Sequence, residues 1–144
     1  GGTVRLTAAG TETITAGGST FANLTTVGSG SWSFSDINAT ISGNLTVAAG
    51  SLTLPSGTTT LGGSLENDAT LSPNDGTLLF NSTDTGETVA LGGSSLYNAT
   101  FNGSGGGWTI TEPATTSSAS SGSRSRATAY WESDSSIIPT SRYR

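Results

Sequence analysis

Six asparagines open an N-x-[ST] sequon: Asn23, Asn38, Asn44, Asn81, Asn98 and Asn102. Chance placement of eight asparagines, in a chain where Ser and Thr make up 50 of 144 residues, gives about three. The pattern is the acceptor signature for N-linked glycans on a secreted surface. Asparagine also caps backbone groups in tight turns, and both readings stand for all six. A second set of oxygen donors sits at Asn67-Asp68 and Asn74-Asp75, with Asp84 further on. Calcium takes such oxygens, yet no EF-hand spacing or glycine-rich nonapeptide accompanies them, so solvated turn residues are expected.

For catalysis the chain offers acids and hydroxyls. It has no His, the commonest general base and metal ligand, and no Cys for a thiolate nucleophile or a disulfide. Glycoside hydrolysis needs two carboxylates facing each other across a cleft. The acids here are scattered beside turns with no recognisable partner, so no enzymatic activity, cofactor or metal is expected. Thr13-Ile14-Thr15 and Thr58-Thr59-Thr60 raise ice binding by a flat threonine face. That needs the same T-x-T in every repeat, and the segments vary in length and content, so no such register is expected.

Near the C-terminus, Ala129-Tyr130-Trp131 and Ser136-Ile137-Ile138-Pro139 are short apolar runs in polar surroundings. They read either as strands docking on a neighbouring subunit by β-augmentation or as a cap on the chain's own end. Tyr130, Trp131, Ile137 and Ile138, with Arg124 and Arg126, form the candidate subunit interface.

The elements that must position these residues follow from composition and rhythm. Gly, Ser and Thr account for 71 of 144 residues, and Leu, Ile, Val and Phe for only 26. The net charge is −5 and there is no Lys, which argues against nucleic-acid binding. No apolar run of about 18 residues is present to span a membrane as a helix. Residues 1–112 carry Arg5 against eight acids, a net −7, and residues 113–144 carry four Arg against two acids, a net +2. The two signs suit attraction between chains or a solubilising tail. The opening Gly1-Gly2-Thr3 lacks an initiator Met, so a processed product or an excised segment is expected.

The body repeats itself at an offset of about 75 residues. Gly2 to Leu6 answers Gly76 to Phe80, Glu12-Thr13-Ile14 answers Glu87-Thr88-Val89, and Trp32-Ser33-Phe34 answers Trp108-Thr109-Ile110. Within the repeat, Leu45-Thr46-Val47, Leu52-Thr53-Leu54 and Trp32-Ser33-Phe34 alternate apolar with small polar residues, the strand period. Ala49-Gly50, Pro55-Ser56-Gly57, Gly62-Gly63 and Pro73 to Gly76 punctuate them with turn chemistry that forbids helix. Strands this short and turns this tight predict an all-β parallel β-solenoid, right-handed. Three arms make a coil of roughly 20 residues, with Ser and Thr outside and a thin apolar core. The expected organisation is a solenoid body over residues 1–112, followed by an extended Ser- and Arg-rich tail over 113–144.

Residues 43–80, GNLTVAAGSLTLPSGTTTLGGSLENDATLSPNDGTLLF, resemble the β-solenoid repeats of large secreted bacterial and archaeal surface proteins, including filamentous haemagglutinin-like adhesins and autotransporter passenger domains. The resemblance covers roughly residues 1–112 and implies an extracellular or cell-surface stalk, adhesin or matrix element. Gly2 to Leu6 already reads as a coil with no polar cap before it. An uncapped end invites stacking on another copy, and a head-to-tail contact that does not close builds a filament; capping by the chain's own tail and a fragment of a longer stalk are the other readings. The expectation is therefore a structural subunit of a surface filament or matrix whose partners are other copies of itself, with glycans as a further candidate partner. The alternative is an adhesin module that binds glycans through exposed aromatics.

Overall fold

The computed structural model describes residues 1–111 and the backbone of Thr115–Thr116. Its first coil is β1 (Thr3–Leu6), β2 (Thr11–Ile14) and β3 (Thr20–Phe21), and the second is β4 (Asn23–Thr26), β5 (Ser31–Phe34) and β6 (Ala39–Ile41). β7 (Leu45–Val47), β8 (Ser51–Thr53) and β9 (Thr58–Leu61) follow, then β10 (Leu65–Asn67), β11 (Thr70–Ser72) and β12 (Thr77–Phe80). The fifth coil is β13 (Glu87–Ala90), β14 (Ser95–Leu96) and β15 (Asn98–Phe101), and β16 (Trp108–Ile110) and β17 (Thr115–Thr116) begin a sixth.

Every pairing is parallel and joins a strand to its counterpart one coil on, which makes the chain a parallel β-solenoid. Face A is a six-stranded sheet, β1-β4-β7-β10-β13-β16. Face B is β2-β5-β8-β11, and face C is β3-β6-β9-β12-β15. β14 pairs with β17 in a separate two-stranded ladder. Val4, Leu24, Leu45, Leu65, Val89 and Ile110 stack in one file, one residue from each successive coil. The step from Leu65 to Val89 is the longest in that file, and its extra residues lie in the 81–86 connection between β12 and β13.

The alternation read from the sequence fills the interior. Face A contributes Leu24, Leu45, Leu65 and Val89, face B Trp32, Leu52 and Leu71, and face C Ile41, Leu61, Leu78 and Phe80, all buried. Each fully buried Leu contributes about 1.5–3 kcal/mol, so a core only one or two side chains deep per arm still holds the stack. Near the C-terminal end Phe80 stacks on Phe101 at 4.5 Å, and Phe101 meets Trp108 edge-on at 5.2 Å. Not every hydroxyl lies outside as expected. Thr26 and Thr59 are buried in the inward files. The Thr26 hydroxyl donates to the Ala49 carbonyl at 2.8 Å, whereas the Thr59 hydroxyl has no hydrogen-bond partner among the described residues.

The long repeat relates strands eleven places apart. β1 answers β12, β2 answers β13 and β5 answers β16. With three strands to a coil this is three turns and two-thirds, so matched segments lie on different faces. The period along the stack itself is the single three-strand coil.

Candidate functional site

The first coil forms one edge of the stack among the described residues. β1, β2 and β3 are the end strands of faces A, B and C, and all three edges open on the same side. Edge strands present unpaired backbone N–H and C=O groups, a template for another strand. Among the described residues nothing covers the inward side chains of this coil. Val4 is 43% exposed, whereas its file mates Leu24, Leu45 and Leu65 are each at 0%. Leu6, Ile14 and Phe21 are only partly buried against the core. Glu12 pairs in register with buried Trp32, so it occupies an inward position. The candidate interface residues Arg124, Arg126, Tyr130, Trp131, Ile137 and Ile138 lie outside the described residues.

Three of the sequon asparagines hold the corners together. Asn23 Oδ1 accepts the Asn44 amide at 2.9 Å, and Asn44 Oδ1 accepts the Ser64 amide at 2.9 Å, one coil to the next. Asn38 Oδ1 accepts the Thr58 amide at 2.7 Å on a second corner. The approach is close: a Cβ on Gly43 would lie 2.4 Å from Asn23 Oδ1, which is why glycine precedes Asn44. Asn81 and Asn102 are exposed and follow β12 and β15, one above the other, since Phe80 pairs with Phe101. Asn98 is half-buried within β15. Capping uses Oδ1 and a glycan would attach at Nδ2, so the two roles draw on different atoms. Asn44→Ala should lower stability by about 1 kcal/mol, the usual worth of one such hydrogen bond, measured as a shift of the urea midpoint with the slope unchanged.

The oxygen-rich pairs are separated, and one departs from the expected solvated turn. Asn67 is buried at 1% exposure. Its Nδ2 donates to the Leu91 carbonyl at 2.6 Å and to Ser94 Oγ at 3.1 Å, and its Oδ1 accepts the Ala69 amide at 3.3 Å. It therefore stitches β10 to the turn after β13. Asp68 beside it is exposed. Asn74 and Asp75 sit at φ of 49° and 58° in the turn closed by the Gly76 amide on the Pro73 carbonyl. Asp84 is exposed in the 81–86 connection. No group of three His, Cys, Asp or Glu residues placed to hold a metal occurs among the described residues.

Other carboxylates tie turns to neighbouring coils. Asp36 accepts the Ala16 and Gly17 amides at 2.6 and 3.1 Å, and Glu87 accepts the Ser64 hydroxyl at 2.6 Å and the Ser82 hydroxyl at 3.4 Å. The 81–86 connection overhangs face C above a concavity of about 330 Å³ lined by Thr40, Ser42, Thr60, Asn81 and Asp84.

Face B bears out the expectation that no T-x-T recurs in every coil, and shows a looser hydroxyl register in its place. Thr11, Ser31, Ser51 and Thr70 stack in one outward file, and Thr13, Ser33, Thr53 and Ser72 in the next. Differences in arm length are taken up in the turns, so [ST]-x-[ST] recurs in four consecutive coils without a charged residue in either file. Ser51 Oγ donates to Ser31 Oγ at 2.9 Å. Within face B the strict T-x-T occurs only in β2, and the pattern ends at β11.

Fold and site together define a parallel β-solenoid repeat protein. No family model matches the chain, and neither the curated proteins nor the solved structures include a match. Of the resemblance read in the sequence, the structure shows the parallel β-solenoid fold itself.

Proposed function

We propose that the chain is a structural subunit of an extracellular, cell-surface filament or matrix, extended by stacking a further coil on the open edge of β1, β2 and β3. The observation that carries this reading is the in-register parallel pairing of successive coils, a geometry that a further coil on β1, β2 and β3 would continue. A stacked coil would bury Val4, complete the partly exposed Leu6, Ile14 and Phe21, and pair the edge amides. The sequons, exposed at Asn81 and Asn102, suit a secreted surface. The competing reading is an adhesin or stalk module that binds glycans through exposed aromatics. It has less support, because the large apolar side chains left exposed among the described residues are Val4 and Ile37.

Negative-stain microscopy of the full chain tests the proposal, from neutral pH down to about pH 4. Six strands of face A span only about 24 Å along the axis. The expected result is rods many times that length, with Val4→Lys remaining as single particles throughout. Equal lengths for the two proteins, or single particles from both at every pH, would sink it.

A further inference from the structure

Asn102 is the one asparagine of the chain that is followed by glycine. A side-chain amide in that position is open to attack by the next main-chain nitrogen, because glycine has no Cβ to obstruct ring closure. The reaction needs an exposed amide, a following N–H not spent on a hydrogen bond, and a backbone able to bring the two together. Asn102 is exposed just past the end of β15. The Gly103 amide makes no hydrogen bond among the described residues, while its carbonyl closes a turn by accepting the Gly106 amide at 3.1 Å. Gly103, Gly105, Gly106 and Gly107 make up most of this connection, which gives its backbone wide conformational freedom.

The other asparagines lack this combination. The main-chain amides that follow Asn23, Asn44 and Asn67 donate to the Asn44, Ser64 and Val47 carbonyls at 3.0, 3.0 and 2.9 Å. Asn38 and Asn98 are followed by Ala39 and Ala99, which lie in the β6 and β15 ladders. Asn74 and Asn81 are followed by Asp75 and Ser82, which carry side chains, and Ser82 is buried. The related pair Asp75-Gly76 is pinned, because the Gly76 amide donates to the Pro73 carbonyl at 2.9 Å. Both features of Asn102 belong to its corner rather than to the last coil. Asn81, in the same file with a coil on either side, is also exposed. The Gly43 and Gly63 amides, at the place of Gly103 on earlier coils, likewise make no hydrogen bond among the described residues.

We infer that Asn102 is a site of spontaneous deamidation, with water as the only co-reactant. The Gly103 nitrogen gives up its proton and bonds to Asn102 Cγ. The Cγ–Nδ2 bond breaks, and the amide nitrogen leaves as ammonia with a proton gained in exchange. The cyclic imide then takes up water. Opening of its bond between Cγ and the Gly103 nitrogen gives aspartate. Opening at the main-chain carbonyl of residue 102 gives isoaspartate, which lengthens the main chain by a methylene. Either product places a carboxylate beside Asn81 and removes the Nδ2 to which a glycan would attach, so glycosylation and deamidation of this sequon exclude each other.

The full chain is aged in mildly alkaline buffer, folded and in urea, and amide loss at each asparagine is followed by peptide mass spectrometry, with isoaspartate told apart by fragmentation. In the folded chain Asn102 should convert about tenfold faster or more than any other asparagine, giving both acids. Its rate should lie within about tenfold of the rate in urea. Asn102→Gln should abolish the fast mass gain, and a gain that persists lies elsewhere and overturns the assignment. Conversion in urea with Asn102 intact in the folded chain would also overturn it. The packing of Gly103 on the Ser82 carbonyl, which a Cβ there would strike, would then be holding the backbone away from ring closure. Equal rates at Asn102 and Asn81 in the folded chain would overturn it too, since exposure alone would then set the rate.

Discussion

Gly50→Ala should lower the urea midpoint of unfolding by about 1 M or more, for a loss of about 2–4 kcal/mol. Two effects add at this corner. Gly50 has φ of 72°, where an L side chain carries a steric penalty of roughly 1–2 kcal/mol. A Cβ there would also lie 2.3 Å from the Gly30 carbonyl oxygen and 2.8 Å from the Trp32 ring. That carbonyl accepts the Ser51 amide at 3.0 Å, the bond that starts the β5–β8 ladder. Neither neighbour can give way without opening that ladder or moving a buried indole. A midpoint within a few tenths molar of the wild type would show that the corner is softer than its geometry implies.

Asn67→Asp should be the more pH-sensitive lesion. The substitution places a carboxylate where an amide now donates to the Leu91 carbonyl at 2.6 Å, in a site 1% exposed. Burial and a facing carbonyl oxygen both penalise the charged form, so the folded-state pKa should rise above the unfolded value of about 3.9. A raised folded pKa means stability that is present below the unfolded value and lost as pH rises towards the folded one. Below about pH 3.9 the protonated acid can still donate to Leu91, and the variant should approach the wild type. At neutral pH it should be weaker by about 3–5 kcal/mol, the cost of an uncompensated buried charge. Urea midpoints of both proteins across pH give the difference directly. Asn67→Leu should show a loss that does not vary with pH, and a flat difference for Asn67→Asp would mean that water reaches the site.

Residues that report their own role were legible in the sequence. Leu45-Thr46-Val47 and Ser51-Leu52-Thr53 alternate in and out as written, and Pro55-Ser56-Gly57 turns the chain between β8 and β9. A three-armed coil follows from those lengths. What the sequence hid is the position of each arm around the axis. An arm obeys the same alternation on any face, so Glu12-Thr13-Ile14 and Glu87-Thr88-Val89 look equivalent while lying on faces B and A. Connections from one residue, Ala22, to six, 81–86, shift the phase without leaving a mark on the strands.

The same limit explains the misreadings. Asn67 carries the chemistry of a turn or ligand residue, and only its contact with Leu91, 24 residues on, places it inside. The hydroxyl files of face B become visible when β2, β5, β8 and β11 are aligned by register rather than by length. Glu12 passed as one more scattered acid. Its signal was present in Thr11-Glu12-Thr13-Ile14, where strand alternation puts Glu12 on the side of Ile14.

The most direct test of stacking through the first coil is amide hydrogen exchange of β1, compared between dilute single particles and the assembled state. As an edge strand, β1 should exchange quickly at Thr3 and Arg5 when single, and slow markedly on assembly, while β7 and β8 stay protected in both. Assembly that leaves β1 exchanging as fast as before would contradict the account, because the copies would then be meeting through another surface.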